Sequence, residues 1–313
     1  MSRPELSVVV PVYGCRDCLG ALHSRLSTVL AQAVRGYEIV FVDDRSPDDS
    51  WGLIEELARR DPNVRALQLS RNFGQHAAIT AGLDRCAGEW VVVMDCDLQD
   101  PPEEIPRLLA AARGGYDIVL ARRRQKKHSL FRRLAARAFF RMINLFSGTR
   151  FHGEYGNFSL ISRKVVDAFS QLRDRDRHYL LILHWLGFST TEIEFVHADR
   201  FSGESSYTLS SLLRHAFEGV FFQTTRLLRW IVYLGFWISA SGVVLAAYFV
   251  YQYLAHSVYP GWTSLAVLIL LIGGFIISST GIAGLYVGKI FEQVKGRPLY
   301  VVDRTAGADA PQP

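Results

Sequence analysis

The sequence has few cysteines, and their spacing follows no structural pattern. Its 313 residues include only Cys15, Cys18, Cys86 and Cys96, which are too few and too irregularly spaced to indicate a disulfide framework. Cys15 and Cys18 form a C-x-x-C pair, but no second pair and no nearby pair of histidines completes a zinc site. We therefore expect reduced thiols in a cytosolic environment.

Charge is absent from two long stretches near the C-terminus, residues 230–255 and 257–288. Each stretch exceeds the roughly 20 apolar residues that cross a bilayer. Two buried core helices would look similar, but two stretches this long without any charge favour membrane spans. Tyrosine and tryptophan near their ends suit the membrane interface. The sequence thus predicts a two-helix transmembrane hairpin over residues 229–290.

Lysine and arginine lie at the two outer ends of the predicted hairpin and not in the loop between its helices. The loop between the two stretches has none, whereas the flanking cations are Arg226, Arg229, Lys289, Lys295 and Arg297. The positive-inside rule then places both termini in the cytoplasm. We expect no signal peptide, because the first apolar run, residues 6–13, is short. The predictions are a multi-pass protein of the inner (cytoplasmic) membrane, a cytoplasmic domain over residues 1–205 and a cytoplasmic tail over residues 291–313.

Apolar runs alternate with amphipathic ones in the first 205 residues. The strand candidates are LSVVVPVY, EIVFVDD, VRALQLS, EWVVVMDCD and DIVLARR. Helix candidates lie between them, among them residues 48–60, where Ser46 fits an N-cap and Pro47 the first helical position. This alternation predicts an α/β fold whose sheet is parallel and covered on both faces.

Acidic residues follow two of these strand candidates. Asp43 and Asp44 end one, and Asp95 and Asp97 end another. Ligands of parallel sheets bind outside the C-terminal ends of the strands, so these acids should share one edge. In an extended chain Asp95 and Asp97 point the same way, and Mg²⁺ and Mn²⁺ prefer hard oxygen ligands. The pattern predicts a nucleotide and metal site, although Asp-x-Asp by itself also fits a solvated loop.

Several segments closely resemble glycosyltransferase family 2. They are VVVPVYG, IVFVDDRSPDDS, LSRNFGQHAAITAGLD and VVVMDCDLQDPPE. RFSGESSYTL and GLYVGKIFEQVKGRPLY, together with the paired apolar stretches, resemble the branch that loads a sugar onto undecaprenyl or dolichyl phosphate. The resemblance covers nearly the whole chain. It implies a GT-A (Rossmann-like) domain over residues 1–205, an amphipathic juxtamembrane helix over residues 206–228, and the two transmembrane helices.

The resemblance also implies the residues of the donor site. Pro11, Tyr13 and Asp43 would surround the base and ribose of a nucleotide-sugar. The catalytic candidates Asp95 and Asp97 would lie at the diphosphate, with Asp97 and Gln99 as ligands of Mg²⁺ or Mn²⁺. Such an ion neutralises charge on the leaving diphosphate, which suits a chain without a glycine-rich phosphate loop.

Arginine is the residue expected to bind the phosphate of a lipid acceptor. Arg122 ends the fifth strand candidate, while Arg200 and Ser205 belong to the segment that resembles the acceptor-phosphate site. A surface salt bridge is the alternative for Arg200. Residues 129–146 form a basic amphipathic pattern, which predicts a helix in the headgroup layer or one that covers the core. Nucleic acid is not an expected partner.

The chain departs from the family pattern at several positions. Many relatives carry Asp-x-Gly-Asp-Phe-Arg where this chain has EYGNFS, so Asn157 cannot act as a base. Glu154 is a candidate base or acceptor-orienting residue, or an ordinary turn acid. Arg45 and Ser206 replace a usual glycine and lysine. Gln75 and His76 either face the nucleotide or cap a helix, and capping is the simpler interpretation.

The predicted reaction moves a sugar, with inversion, from a nucleotide-sugar to a polyprenyl phosphate. UDP-hexose and undecaprenyl phosphate are the expected substrates, with GDP as an open alternative. The product would be a lipid-linked donor for surface glycan or lipid modification, and membrane relatives suggest a homo-oligomer. One alternative is a processive polysaccharide synthase, because residues 226–230 resemble a Q/R-x-x-R-W signature. Another is a non-catalytic membrane scaffold that binds nucleotide-sugar.

Overall fold

A mixed sheet forms the centre of the first of two units. The computed structural model describes residues 3–123, 155–175, 177–195, 226–255 and 261–307. The first unit comprises Met1–Arg132, His152–Ser206 and Arg297–Pro313, and the second comprises the remaining residues. Within the described residues the sheet has eight strands in the order β7-β5-β6-β4-β1-β2-β3-β8. The strands are β1 Leu6–Val12, β2 Tyr37–Asp43, β3 Val64–Leu69, β4 Trp90–Val93, β5 Ile118–Arg123, β6 Tyr155–Ser162, β7 Thr190–Phe195 and β8 Val302–Ala306.

The five predicted strands are confirmed as β1 to β5, but the prediction of a parallel sheet is wrong in part. Strand β6 runs antiparallel to β4 and β5, and β8 runs antiparallel to β3. The other neighbouring pairs are parallel. Strand–helix alternation indicates parallel crossovers between consecutive strands. It cannot reveal β6 and β8, because each enters the sheet after a long excursion of the chain.

Helices cover both faces of the sheet, as predicted. They are α1 Arg16–Ala33, α2 Ser50–Arg60, α3 Gln75–Arg85, α4 Ile105–Arg113, α5 Arg163–Gln171 and α6 Tyr179–Leu186. Alternate residues of β1 face opposite layers: Val8 and Val10 pack with α1, α2 and α4, whereas Val9 packs with α3, α5 and α6. Burial on both faces explains why β1, β2 and β4 are almost wholly apolar.

Helix α2 begins later than its sequence signals indicate. Its first residue is Ser50 and its N-cap is Asp49, which adopts a left-handed conformation with φ 56°. Ser46, the predicted N-cap, instead accepts a hydrogen bond from the backbone N–H of Gly14, at 3.1 Å. The carboxylate of Asp48 accepts hydrogen bonds from the backbone N–H and hydroxyl of Ser50. The predicted start fails because Ser46 joins two loops rather than capping the helix.

Strand β8 changes the interpretation of the C-terminal segment. The sequence predicts a tail over residues 291–313, yet Val302–Ala306 lies at the edge of the sheet beside β3. The backbone N–H of Ser70 also donates to the carbonyl of Val301, at 2.9 Å. The segment is too short for its alternation to distinguish a strand from a loop, so local pattern does not reveal this pairing.

Two long helices make up the described part of the second unit: α7 Arg226–Ala255 and α8 Trp262–Val294. In the described residues one segment, Ile272–Val294, is long and apolar enough to cross a membrane by length and composition. Its mean hydropathy is 1.4, and none of its residues is buried. The shorter apolar segment Ile231–Gly242 does not reach that length. One predicted span therefore meets the criterion, and the two-helix hairpin remains a prediction.

Candidate active site

The carboxyl ends of β1, β2 and β4 meet the start of β6 at one edge of the sheet. This follows from the order β6-β4-β1-β2 and from the reversed direction of β6. The predicted donor residues lie near this edge, either in the last residues of the strands or in the loops that follow them. Tyr13 exposes 53% of its surface there, whereas Pro11 is buried within β1. The edge thus presents an aromatic side chain directly after the first strand.

Asp43 lies inside the molecule rather than on the surface of this edge. Asp43 is fully buried. One of its carboxylate oxygens accepts a hydrogen bond from the backbone N–H of Ser46 at 3.0 Å, and the other accepts one from Nε2 of Gln68 at 2.9 Å. Asp43 therefore supports the loop after β2 from within. Its predicted contact with the ribose stays a prediction.

The neighbouring Asp44 anchors the loop that leads into α3. Its carboxylate accepts hydrogen bonds from the backbone N–H of Phe73 at 2.7 Å and of Gly74 at 2.8 Å. Burial raises the pKa of Asp44, and the two backbone donors only partly oppose that shift. The sequence pattern predicts Asp44 at this edge, as one of the acids of a nucleotide and metal site. Its position fixes where α3 begins.

The first aspartate of the Asp-x-Asp motif is held by two amide side chains. Oδ1 of Asp95 accepts a hydrogen bond from Nε2 of Gln75 at 2.7 Å and from Nδ2 of Asn157 at 3.3 Å. Gly74 is the N-cap of α3, so the expectation that Gln75 and His76 cap this helix is wrong. Nδ1 of His76 instead faces the backbone N–H of Tyr179, at 3.4 Å. Gln75 thus lies at the candidate site, where the other of its two expectations placed it, and Asn157 is a site residue that the sequence pattern did not indicate.

The second aspartate of the motif lies in a turn. Strand β4 ends at Val93, and Leu98 has a positive φ of 62°. The backbone N–H of Gln99 donates to Oδ1 of Asp97 at 3.1 Å, a local pattern that stabilises such turns. The expectation that Asp95 and Asp97 point the same way from an extended chain therefore does not describe this geometry. Both residues are nevertheless half-buried at the same edge.

The donor atoms at this edge fit a divalent ion only in part. In the part of the chain that the structure describes, no group of three or more His, Cys, Asp or Glu side chains is placed to hold a metal. Mg²⁺, however, is commonly bound by one or two carboxylates together with substrate phosphates. The carboxylate of Asp97 and the amide oxygen of Gln99 are hard ligands of this type. Asp97 and Gln99 therefore stay the predicted ligands of a metal that arrives with a diphosphate.

A disulfide joins the first loop to the Asp-x-Asp motif. Cys15 and Cys96 form this bond, with their Cα atoms 6.2 Å apart and a separation of 81 positions in sequence. The expectation that the thiols are reduced is therefore wrong for these two, while Cys18 and Cys86 are buried thiols outside this disulfide. The sequence spacing of Cys15 and Cys96 does not indicate this disulfide, because only the pairing of β1 with β4 brings the ends of these strands together.

The acceptor residues are described only in part. Nη1 of Arg122, at the end of β5, lies 3.8 Å from a carboxylate oxygen of Glu192 and 4.0 Å from one of Glu194 on β7. These distances correspond to loose ion pairs at a half-exposed position. Glu154, Arg200 and Ser205, with the basic segment 129–146 and residues 206–225, lie outside the described residues.

Comparison with known proteins gives consistent matches over the chain. Residues 7–169 match the model of the family described as "Glycosyl transferase family 2". The chain is 34% identical over 312 residues to a Bacillus subtilis protein described as "Uncharacterized glycosyltransferase YkcC", covering 99% of this chain and 97% of that one. It is 35% identical over 313 residues to the undecaprenyl-phosphate 4-deoxy-4-formamido-L-arabinose transferase of Proteus mirabilis, covering 98% and 95%.

A match to a solved structure is weaker. The mannosyltransferase PcManGT of Pyrobaculum calidifontis, solved with GDP-Man and Mn²⁺, is 16% identical, with a TM-score of 0.46 over 95% of this chain and 89% of that one. The family match and the observed mixed sheet together confirm the predicted GT-A-like α/β fold.

Proposed function

Because the chain belongs to glycosyl transferase family 2, we propose that it transfers a sugar from a nucleotide-sugar to a polyprenyl phosphate. Undecaprenyl phosphate is the proposed acceptor, and the anomeric configuration inverts. One observation carries this proposal: the 35% identity, over nearly both full lengths, to an undecaprenyl-phosphate sugar transferase. The product is a lipid-linked sugar that a later enzyme uses as a donor for surface glycan or lipid modification.

The path of the chain supports a membrane location with two crossings. Strands on both sides of residues 196–296 belong to one sheet, so both flanks of that segment lie on the same side of any membrane. A segment that leaves and returns to one side crosses an even number of times. If Ile272–Val294 crosses once, a second crossing precedes it. Helix α7 has 30 residues, or about 45 Å, which exceeds the hydrocarbon thickness of about 30 Å.

The donor side of the proposed reaction uses the edge described above. Tyr13 offers an exposed aromatic face to a base, while Asp95 and Asp97 lie where β4 ends. Asp97 and Gln99 are the residues that would hold Mg²⁺ or Mn²⁺, and such an ion would offset the charge that develops on the departing diphosphate. The nucleotide is UDP or GDP. A UDP-hexose is the expected donor, whereas the Proteus mirabilis relative is named for a derivative of arabinose, which is a pentose.

The proposed step is a single displacement at the anomeric carbon. An oxygen of the acceptor phosphate forms the new bond to that carbon, and the bond from the carbon to the diphosphate oxygen breaks. A phosphate monoester has a second pKa near ~6, so the attacking oxygen already carries charge at neutral pH. The step therefore needs little help from a base, and Asn157 is compatible with it. Arg122, Arg200 and Ser205 are the residues proposed to bind the acceptor phosphate.

The test is a transfer assay with the purified full chain in detergent. Undecaprenyl phosphate, MgCl₂ or MnCl₂, and a panel of UDP- and GDP-sugars are supplied, and labelled lipid and released nucleotide are followed. We expect one donor to give labelled lipid, and EDTA or Asp97→Ala to abolish it. Asp49→Ala, an exposed acid at the start of α2, is the matched control and should keep turnover. Nucleotide binding without lipid product from any donor would instead favour the scaffold.

A further inference from the structure

Two neutral amides converge on one oxygen of Asp95. Gln75 is the first residue of α3, and Asn157 lies on β6, so the two donors come from different elements. The antiparallel register between β4 and β6 pairs Val93 with Ser159. Continued by two residues, this register sets Asp95 opposite Asn157. The contact is therefore a consequence of sheet register and not of a local turn.

Each donor is itself fixed by a further contact. The loop before Gln75 is held by the carboxylate of Asp44, through the backbone N–H groups of Phe73 and Gly74. The carbonyl of Asn157 accepts a hydrogen bond from the hydroxyl of Ser159, at 2.9 Å. Ser159 in turn bonds to the phenol of the fully buried Tyr179, also at 2.9 Å. Both amides are thus anchored to the core.

Amides orient a carboxylate without neutralising it. An arginine or lysine in place of either amide would bring a positive charge and would form an ion pair with the carboxylate of Asp95. Gln75 and Asn157 donate through neutral N–H groups, so neither brings a charge of its own to the oxygen that it holds. A second acid at position 157 would instead put two carboxylates in contact and create repulsion.

We infer that Gln75 and Asn157 are positioning residues that set the carboxylate plane of Asp95 for the nucleotide diphosphate. The inference rests on the proposed function, since it assigns a role within the same donor site. It also gives a role to Asn157, which cannot act as a base. Asn157 serves here as a hydrogen-bond donor to the motif, and a base at this position would disturb it.

The test measures binding of UDP and of GDP to the full chain by calorimetry, without acceptor, using the tighter ligand throughout. We expect Gln75→Ala and Asn157→Ala each to weaken binding by about 3- to 10-fold. Asn157→Asp should weaken it more than Asn157→Ala, by at least tenfold. Asn63→Asp is the matched control, because Nδ2 of Asn63 donates to Oδ1 of Asp61 at 3.0 Å, away from the site. It should change nucleotide binding less than twofold.

Exchanging the carboxyl group of Asp95 with the amide group of Asn157 distinguishes a positioning role from a structural one. Asp95→Asn combined with Asn157→Asp restores an amide–carboxylate pair with its sides reversed. We expect this double variant to recover the thermal midpoint that Asn157→Asp loses, but not nucleotide affinity. Recovery of both, or wild-type binding by Asn157→Asp, would overturn the inference. Should Asn157→Asp not fold, Gln75→Glu at the exposed start of α3 makes the same carboxylate pair and must weaken binding at least tenfold.

Failure of this inference and failure of the proposed function give different results. A wild-type protein that binds nucleotide but makes no lipid product contradicts the proposed transfer and leaves the binding comparison valid. A wild-type protein that makes product while Asn157→Asp binds nucleotide normally contradicts the positioning role alone.

Discussion

Arg45 and Asp303 form an ion pair between residues that are 258 positions apart, with Nη1 and Oδ2 separated by 2.7 Å. Arg45 follows β2 in a left-handed conformation, with φ 58°. Asp303 belongs to β8, which the chain reaches only after α7 and α8. The pair therefore fastens the C-terminal strand to a loop of the candidate active site.

We expect Asp303→Asn to lower the free energy of unfolding by less than about 1 kcal/mol, because both side chains are almost half exposed. The loss should shrink at high salt, where exposed charges are screened. Thermal unfolding at low and at high salt measures it. Asp167→Asn, at the more distant contact with Arg163, is the control and should have a smaller effect. A loss that does not depend on salt would mean that packing of β8, and not this ion pair, is affected.

The disulfide between Cys15 and Cys96 should dominate the response to reductant. A bond that closes a loop of 81 residues removes chain entropy worth about 4 kcal/mol in the unfolded state. We therefore expect reductant to lower the thermal midpoint of the wild type. The Cys15→Ser/Cys96→Ser variant should show the low midpoint with or without reductant. Thiol titration of the denatured protein, prepared without reductant, should find only Cys18 and Cys86 reactive, and four reactive thiols would contradict the bond.

The bidentate ion pair between Arg25 and Glu103 predicts a small effect of pH on the stability of the fold. Nε and Nη2 of Arg25 donate to the two carboxylate oxygens of Glu103, at 2.9 and 2.6 Å. These hydrogen bonds from Arg25 lower the pKa of Glu103. A carboxyl whose pKa is lower in the folded state stabilises the fold above its unfolded pKa, near ~4.3, and loses that contribution as pH falls through its folded pKa.

Glu103→Gln should accordingly cost less than about 1 kcal/mol at pH 7, since both side chains are more than a third exposed. The difference from wild type should fall toward zero in more acidic solution, below the folded pKa of Glu103. Denaturant unfolding from neutral to acidic pH measures this difference. A loss of stability that stays constant at all pH values would show that the substitution disturbs the structure around Glu103 for reasons other than charge.

Local patterns predicted the strands and the edge where the site lies, because valine-rich runs and acidic strand ends are local features. Contacts set by long-range register could not be predicted in this way. Cys15 meets Cys96 only because β1 pairs with β4, and Asn157 meets Asp95 only because β6 is antiparallel. Asp44 was visible at the edge, but its role depends on Phe73 and Gly74, whose positions no local pattern specifies.

Sheet connectivity makes a prediction about membrane topology. Because β8 pairs with β3, residues on both sides of the helical pair should be accessible from one side of the membrane. If α7 and α8 are the two proposed crossings, the connection between them should be accessible from the other side. Cysteine substitutions at Asp49, Gly261 and Thr305 test this with a membrane-impermeant maleimide. In intact cells only Gly261→Cys should be labelled, whereas permeabilised cells should also show labelling at Asp49→Cys. Thr305→Cys should behave like Asp49→Cys. Labelling of Thr305→Cys but not of Asp49→Cys in intact cells would mean an odd number of crossings, which the pairing of β3 with β8 forbids.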